Sequence, residues 1–239
     1  MSQFTITSIT PIYDRDTSML ADALDSVFGQ SHPIDEVIVV DDGSAVPVEP
    51  WVRAHYGDRV RVIRIDHAGI GAARNAAVAE ATGSLLAFLD SDDVWVPDKT
   101  ERQLAVLRDE PDVDAVYGQA RQFHDPSTSA AHRERHPIRD EILDAWLSTA
   151  QLIRTEAFHR IGPYWESPTG VDVDWMMRAR DAGLSMKMLD EVVYLRRIHE
   201  TNIGITSKDT KDASLMAAVR ASLERRRVAV GGAENGAPR

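Results

Sequence analysis

Cysteine, surplus positive charge and long apolar runs are all scarce in this chain of 239 residues, and each shortage excludes something. With no cysteine there are no disulfides and no thiolate zinc site. Lys and Arg number 27 against 38 Asp and Glu, a net charge of −11, which argues against nucleic acid as the main partner. No stretch approaches the roughly 18 apolar residues of a membrane span. Met1 to Thr10 lacks the basic start and long apolar core of a signal peptide. The expectation is a cytoplasmic protein. The basic helix end Arg225, Arg226 and Arg227 allows at most peripheral membrane contact, and a homodimer stays open. A hydrophobic fraction of 43% and a charged fraction of 27% fit a folded chain with a sizeable core.

What is present is an alternation of strand and helix signals. Phe4 to Ile9 reads as a strand stopped by Pro11. Ser18 to Phe28 carries helical spacing and closes at Gly29. Glu36 to Val40 is a continuous apolar run, as in a strand buried on both faces. Arg61 to Ile65, Ser84 to Leu89 and Asp114 to Tyr117 continue the strands; Gly71 to Ala81 and Asp98 to Arg108 supply helices between them. His124 to Pro137 reads as a mobile loop, and Ile138 to Leu147, Thr155 to Ile161 and Val171 to Ala182 as helices. Met186 to Leu189 and Val192 to Leu195 read as short strands. The pattern predicts an α/β fold with a mostly parallel central sheet flanked by helices. Residues 1–118 and 119–205 form its two halves, 206–228 a C-terminal helix and 229–239 a disordered tail.

In such sheets ligands gather at the carboxyl ends of strands. Acidic residues stand there twice, as Asp41 and Asp42 after the second strand and as Asp90, Asp92 and Asp93 after the fourth. Carboxylates this close repel unless a cation sits among them, and a hard divalent cation with oxygen ligands is the usual answer. The competing reading is a solvated acidic turn. Asp42 suits a hydrogen bond to a base edge or a simple Asx turn, and Tyr13 suits stacking on a base or on the sheet rim. Gly69-Ile70-Gly71-Ala72-Ala73-Arg74 resembles a dinucleotide fingerprint, but Arg74 replaces the third glycine and the motif follows the third strand. Arg74 is better read as a partner for Asp90 or for phosphates. Asp172 and Asp174 open a helix, as dipole caps or as a general base.

Taken together, these segments resemble the inverting glycosyltransferase family 2 proteins of the GT-A (Rossmann-like) fold. The resemblance runs through TPIYD at 10–14, SVFGQSHPIDEVIVVDDGS at 26–44, GIGAARNAAVAEATGSLLAFLDSDDVWVPDK at 69–99, AQLIRTEAFHRIGPY at 150–164, VDVDWMMRARDAG at 171–183 and VVYLRRIHETN at 192–202. It implies a nucleotide-sugar donor, UDP-linked by default with dTDP and GDP open. The acceptor is a hydroxyl on a carbohydrate, a lipid-linked molecule or a small molecule. Pro11, Tyr13 and Asp42 would lie at the nucleotide, with Arg74, Asp90 and Ser91 beside it. Asp90 and Asp92 would form the DxD motif. Asp92 would hold Mn2+ or Mg2+, and His199 and Arg197 would lie on a loop closing over the metal or diphosphate. Asp172 would be the catalytic base. The family often has Glu-Asp where this chain has Val171-Asp172, so Asp174 stays open as the base. A nucleotidyltransferase and an inactive nucleotide-sugar-binding module are the alternatives.

Overall fold

The computed structural model describes residues 4–14, 16–138, 141–166, 170–202, 216–217 and 219–223. The elements run β1 (Ile6–Ile12), α1 (Thr17–Phe28), β2 (Glu36–Asp41), α2 (Glu49–Tyr56), β3 (Arg61–Arg64), α3 (Ile70–Glu80), β4 (Leu85–Phe88) and β5 (Val94–Trp95). Then come α4 (Lys99–Asp109), β6 (Ala115–His124), α5 (Ala130–Arg135), β7 (Leu143–Ala145), β8 (Leu152–Arg154), α6 (Thr155–Ile161), α7 (Val171–Asp181) and β9 (Met186–Ile198). The sheet order is β3-β2-β1-β4-β8-β6-β9-β5, with β7 paired to β6. Its first four strands are parallel, as expected. Beyond β4 the pairing is mixed: β8 is antiparallel to β4 and β6, while β6 and β9 run parallel.

The apolar run of β2 is explained by burial on both faces. Val37 and Val39 join one core with Leu20 and Leu24 of α1, Val52 of α2 and Leu104 of α4. Ile38 and Val40 join the other with Ala73 and Ala77 of α3, Phe158 of α6 and Trp175 of α7. Two packed faces leave strand ends as the places where polar groups meet solvent.

Several expectations are corrected. Pro11 does not stop β1, which runs to Ile12. The Leu89 N–H bonds to Ile9 O and the Asp42 N–H to Ile12 O, so odd positions of β1 face β4 and even ones β2. Pro11, with no N–H to give, therefore faces β4 beyond that strand's last residue, Phe88. Residues 141–147 are not helical: Leu143–Ala145 pair with β6. The expected loop at 124–137 contains α5, capped by the Ser129 side chain on His132 N. The two short strands expected at 186–195 are one strand of 13 residues. The half boundary expected at 118/119 falls inside β6. Residues 216–217 and 219–223 are helical, with Ser222 Oγ donating to Asp181 at 2.8 Å. The rest of the expected C-terminal helix, Arg225 to Arg227 and the tail lie outside the described residues. Among the described residues no helix is long and apolar enough to cross a membrane.

Candidate active site

The carboxyl ends of β2, β1 and β4 lie side by side, with Ile12 opposite Asp41 and Ile9 opposite Phe88. Strand spacing of about 4.8 Å puts the ends of β2 and β4 about 10 Å apart. Asp42 and the acids after β4 thus share one edge of the sheet, as the sequence implied.

At the β2 end, Asp41 accepts from Ser44 N at 2.8 Å and Val48 N at 3.2 Å and pairs with Arg64. Burial raises its carboxyl, but these bonds outweigh burial and hold it below the usual range. Asp42 is 3% exposed. Its Oδ1 accepts from Ala68 N and its Oδ2 from Gly69 N, both at 2.9 Å, and His67 Nδ1 lies 2.9 Å from Oδ2. Asp42 thus holds the turn that opens α3. Tyr13, 41% exposed, stacks on His67 with ring centres 3.8 Å apart. His67 went unnoticed in the sequence because nothing in RIDHAG marks it as a platform. Gly43 is required on two counts: its φ is +77°, and a Cβ would lie 2.6 Å from His67 N.

Helix α3 carries the next contacts. Gly71 lets the helix meet the main chain at Trp165, where a Cβ would lie 2.3 Å from the carbonyl oxygen. Asn75 exchanges two bonds with the Tyr164 backbone, at 3.0 and 2.8 Å. Arg74, 1% exposed, reaches Asp90 Oδ1 with Nη2 at 2.7 Å and Asp172 Oδ1 with Nη1 at 3.1 Å. Of the GxGxx-Arg motif, Gly69 thus supplies the positive φ, +92°, at the start of α3, Gly71 the close packing and Arg74 the buried guanidinium.

Asp172 faces this site; Asp174, two residues on, is buried and paired with Arg178 Nε at 2.9 Å. Ser148, which the sequence reading missed, donates both its N–H (3.0 Å) and its Oγ–H to Asp172 Oδ1. Tyr164 Oη lies 2.7 Å from the same Oγ. Among the described residues every hydrogen bond to Asp172 ends on Oδ1, leaving Oδ2 open. Burial raises the Asp172 carboxyl, but the Arg74 charge and the Ser148 bonds outweigh it and keep Asp172 ionised.

On the other side of Asp90 the acids crowd. Burial and the neighbouring charges of Asp92 and Asp90 push Asp93 well above the usual carboxylate range. Burial also raises Asp90, with Arg74 opposing and Asp92 and Asp172 adding to the rise. Ser91 is buried between these acids. Asp93 Oδ1 accepts from Arg197 N at 2.9 Å, tying this turn to β9. Asp92 Oδ2 lies 3.0 Å from His199 Nε2. Arg197 is not on a closing loop: it belongs to β9 and is buried. Its guanidinium bonds Asp22, Asp125 and the Asp92 carbonyl. The loop expected at 199–207 is described only through Asn202.

Among the described residues no three His, Asp or Glu side chains gather into a metal-binding group. The Asp92–His199 pair, set among crowded carboxylates, still fits a divalent cation with few protein ligands. Mg2+ in particular is commonly held by one or two carboxylates, with phosphate and water completing its shell.

A sheet edge lined by acids, with a guanidinium bridging the two flanks, sits here on a fold of the GT-A type. The chain belongs to the family described as glycosyl transferase family 2, whose model matches residues 7–181. It is 28% identical over 211 residues to a chondroitin synthase of Pasteurella multocida, covering 86% of this chain and 22% of that protein. It is 38% identical over 105 residues to a putative teichuronic acid biosynthesis glycosyltransferase, TuaG, of Bacillus subtilis, covering 43% and 41%. The chain thus spans well under half of either relative. S. aureus TarS 1-349 in complex with UDP-GlcNAc has a similar fold, with a TM-score of 0.68 at 20% identity over 92% of this chain and 66% of that one. Family membership goes against the nucleotidyltransferase alternative.

Proposed function

We propose that the chain transfers a sugar from a nucleoside-diphosphate sugar, UDP-linked, to a hydroxyl of a carbohydrate acceptor, with inversion and with help from Mn2+ or Mg2+. The observation that carries this reading is the Arg74 fork, which joins Asp90 on the donor side to Asp172, whose Oδ2 takes no hydrogen bond from the described residues. UDP is favoured because TarS, of similar fold, binds UDP and UDP-GlcNAc. A cation held by Asp92 and His199 would neutralise charge growing on the departing diphosphate.

The residues of the chain divide the remaining work. Tyr13 and His67 offer a stacked platform for a base at the β1 and β2 ends. Arg74 and Ser148 hold Asp172 ionised and fix its Oδ1, which aims Oδ2 at the acceptor. Oδ2 then takes the hydroxyl proton as the acceptor oxygen attacks the anomeric carbon. The bond from that carbon to the phosphate oxygen breaks on the opposite face, and its electron pair leaves with the diphosphate. Attack opposite the leaving group inverts the centre. Trp146 is 39% exposed, two residues from Ser148, with its ring 5.0 Å from that of Tyr117. A pyranose has an apolar C–H face and polar edges, and an exposed indole suits both.

The test incubates the protein with UDP-, dTDP- and GDP-sugars, Mn2+ and a panel of oligosaccharides. The expected result is nucleoside diphosphate release that requires acceptor, and a product of inverted configuration by NMR. A product of retained configuration overturns the aspartate-base mechanism. Donor binding by calorimetry with neither transfer nor hydrolysis favours the binding module.

A further inference from the structure

The reaction above makes no use of Lys99, yet it is among the most deeply buried charged side chains described. It is 0% exposed, on the first turn of α4. Among the described residues its Nζ bonds neutral groups only, Gln103 Oε1 at 2.7 Å and Gln151 O at 3.1 Å, and sits 4.4 Å from the centre of the Trp95 ring. No carboxylate among the described residues pairs with it, and burial is the cause that moves its titration. A lysine in such a place works against stability. Local violations of this kind mark function more often than packing.

Its neighbours show what it is attached to. Trp95 Nε1 donates to Thr149 O at 3.2 Å, Gln103 Nε2 to Ala150 O at 2.7 Å and Lys99 Nζ to Gln151 O. Three consecutive carbonyls are thus gripped by three side chains from the segment that follows the DxD acids. Lys99 and Gln103 share one face of α4, four residues apart. The gripped turn begins at Ser148, the residue that bonds Asp172 twice.

We infer that Trp95, Lys99 and Gln103 form a clamp of positioning residues. It fixes the 148–151 turn, and through Ser148 the aim of Asp172, relative to the acids after β4. The inference rests on the proposed role of Asp172 as base. The clamp fits because the two flanks come from distant parts of the chain, and side chains of β5 and α4 tie 149–151 to the segment after the acids, beside the Arg74 bridge. Displacing Asp172 by a few tenths of an ångström leaves donor contacts intact but spoils alignment with the acceptor oxygen, to which rates are steeply sensitive.

The test uses Trp95→Phe, which removes one donor and keeps a ring, and Lys99→Met, which keeps the chain length and removes the ammonium. Both are checked for folding by circular dichroism. The expected result is a fall in kcat of about tenfold or more in each, with the KM for donor changed less than about twofold. A readout independent of turnover is the titration of the Asp172 carboxyl, followed by carboxyl-carbon NMR. The clamp predicts that it rises toward the ordinary range in both variants, as the Ser148 bonds loosen. Folded variants with unchanged kcat, or with an unchanged Asp172 titration, overturn the clamp. A wild-type protein that transfers no sugar, together with a shifted Asp172 titration in the variants, instead overturns the proposed function and leaves the clamp as a structural device.

Discussion

Replacing Lys99 by Met should change how stability depends on pH, by an amount the structure sets. Burial pushes the Lys99 ammonium down from 10.5 to about 7. The side chain is 0% exposed, so solvent screening takes little from the effect. For a lysine the depressed value means that folding opposes the charged form. The penalty is complete below pH about 7 and is relieved as pH rises toward 10.5, since over that window the unfolded chain binds the extra proton. At about 1.4 kcal/mol per pH unit, the full interval is worth on the order of 5 kcal/mol, and the part between pH 6 and pH 9 about half of that. Lys99→Met removes this dependence and leaves the other titrating groups in place. Urea unfolding of both proteins at pH 6, 7, 8 and 9 gives the difference directly. The wild type should gain about 2 to 3 kcal/mol on the variant across that range. The range stops short of the tyrosines, among them Tyr117, Tyr164 and Tyr194, which burial holds above their usual value of 10. Parallel curves, agreeing within about 0.5 kcal/mol, would show that the ammonium is not confined as described.

The other expectations concern the site itself. Asp172→Asn should bind donor but lose transfer by about a hundredfold or more, while Asp174→Asn, which breaks a pair with Arg178, should affect stability more than rate; the reverse pattern in a kinetic assay would move the base to Asp174. Arg74→Lys should fold yet lose about a hundredfold in kcat, because one ammonium cannot span Asp90 and Asp172 as the planar fork does; near-normal turnover would refute the bridging role. His199→Ala should weaken Mn2+ binding by about tenfold in calorimetry with UDP present, and Mn2+ affinity in the wild type should rise as pH climbs out of the acid range, because protons on the raised Asp90 and Asp93 compete with the cation. Trp146→Ala should raise the KM for a saccharide acceptor about tenfold and leave the KM for donor alone; equal effects on both would remove Trp146 from the acceptor side.

The parallel half of the fold was legible because burial on both faces writes itself into the residues. β2 and β4 are apolar at consecutive positions, each alternately serving one core and the other. The errors fall where tertiary pairing overrides local pattern. Ile138, Ile142, Ala145 and Trp146 have helical spacing, yet Ile142 and Trp146 are exposed and no helix face is buried there; an edge pairing with β6 decides the conformation. The long β6 and β9 were read as fragments because exposed stretches such as Asp190-Glu191 interrupt the apolar signal while the ladder continues on either side, with shifts of register.

The site shows the same division between what a strand end announces and what only packing reveals. The acids at 41–42 and 90–93 stood out because a buried strand followed at once by several carboxylates is an unusual local event. Of their individual duties the pairing of Asp90 with Arg74 was read, and the others were not, since they depend on partners far along the chain. Asp42 holds the 67–69 turn and Asp93 holds β9, while Arg74 joins Asp90 to Asp172. Ser148 carried no signal, because one serine before a short turn is ordinary until Asp172 is placed beside it. The electrostatics then close the argument. Arg74 is shared between Asp90 and Asp172, His199 stands beside Asp92, and the Arg196 charge only partly offsets the rise of Asp93. Burial and the crowding of like charges leave Asp90 and Asp93 raised. Such a site draws a divalent cation most strongly when a diphosphate arrives to complete its shell. Cation and donor should therefore bind with positive coupling, each raising the affinity for the other by the same factor.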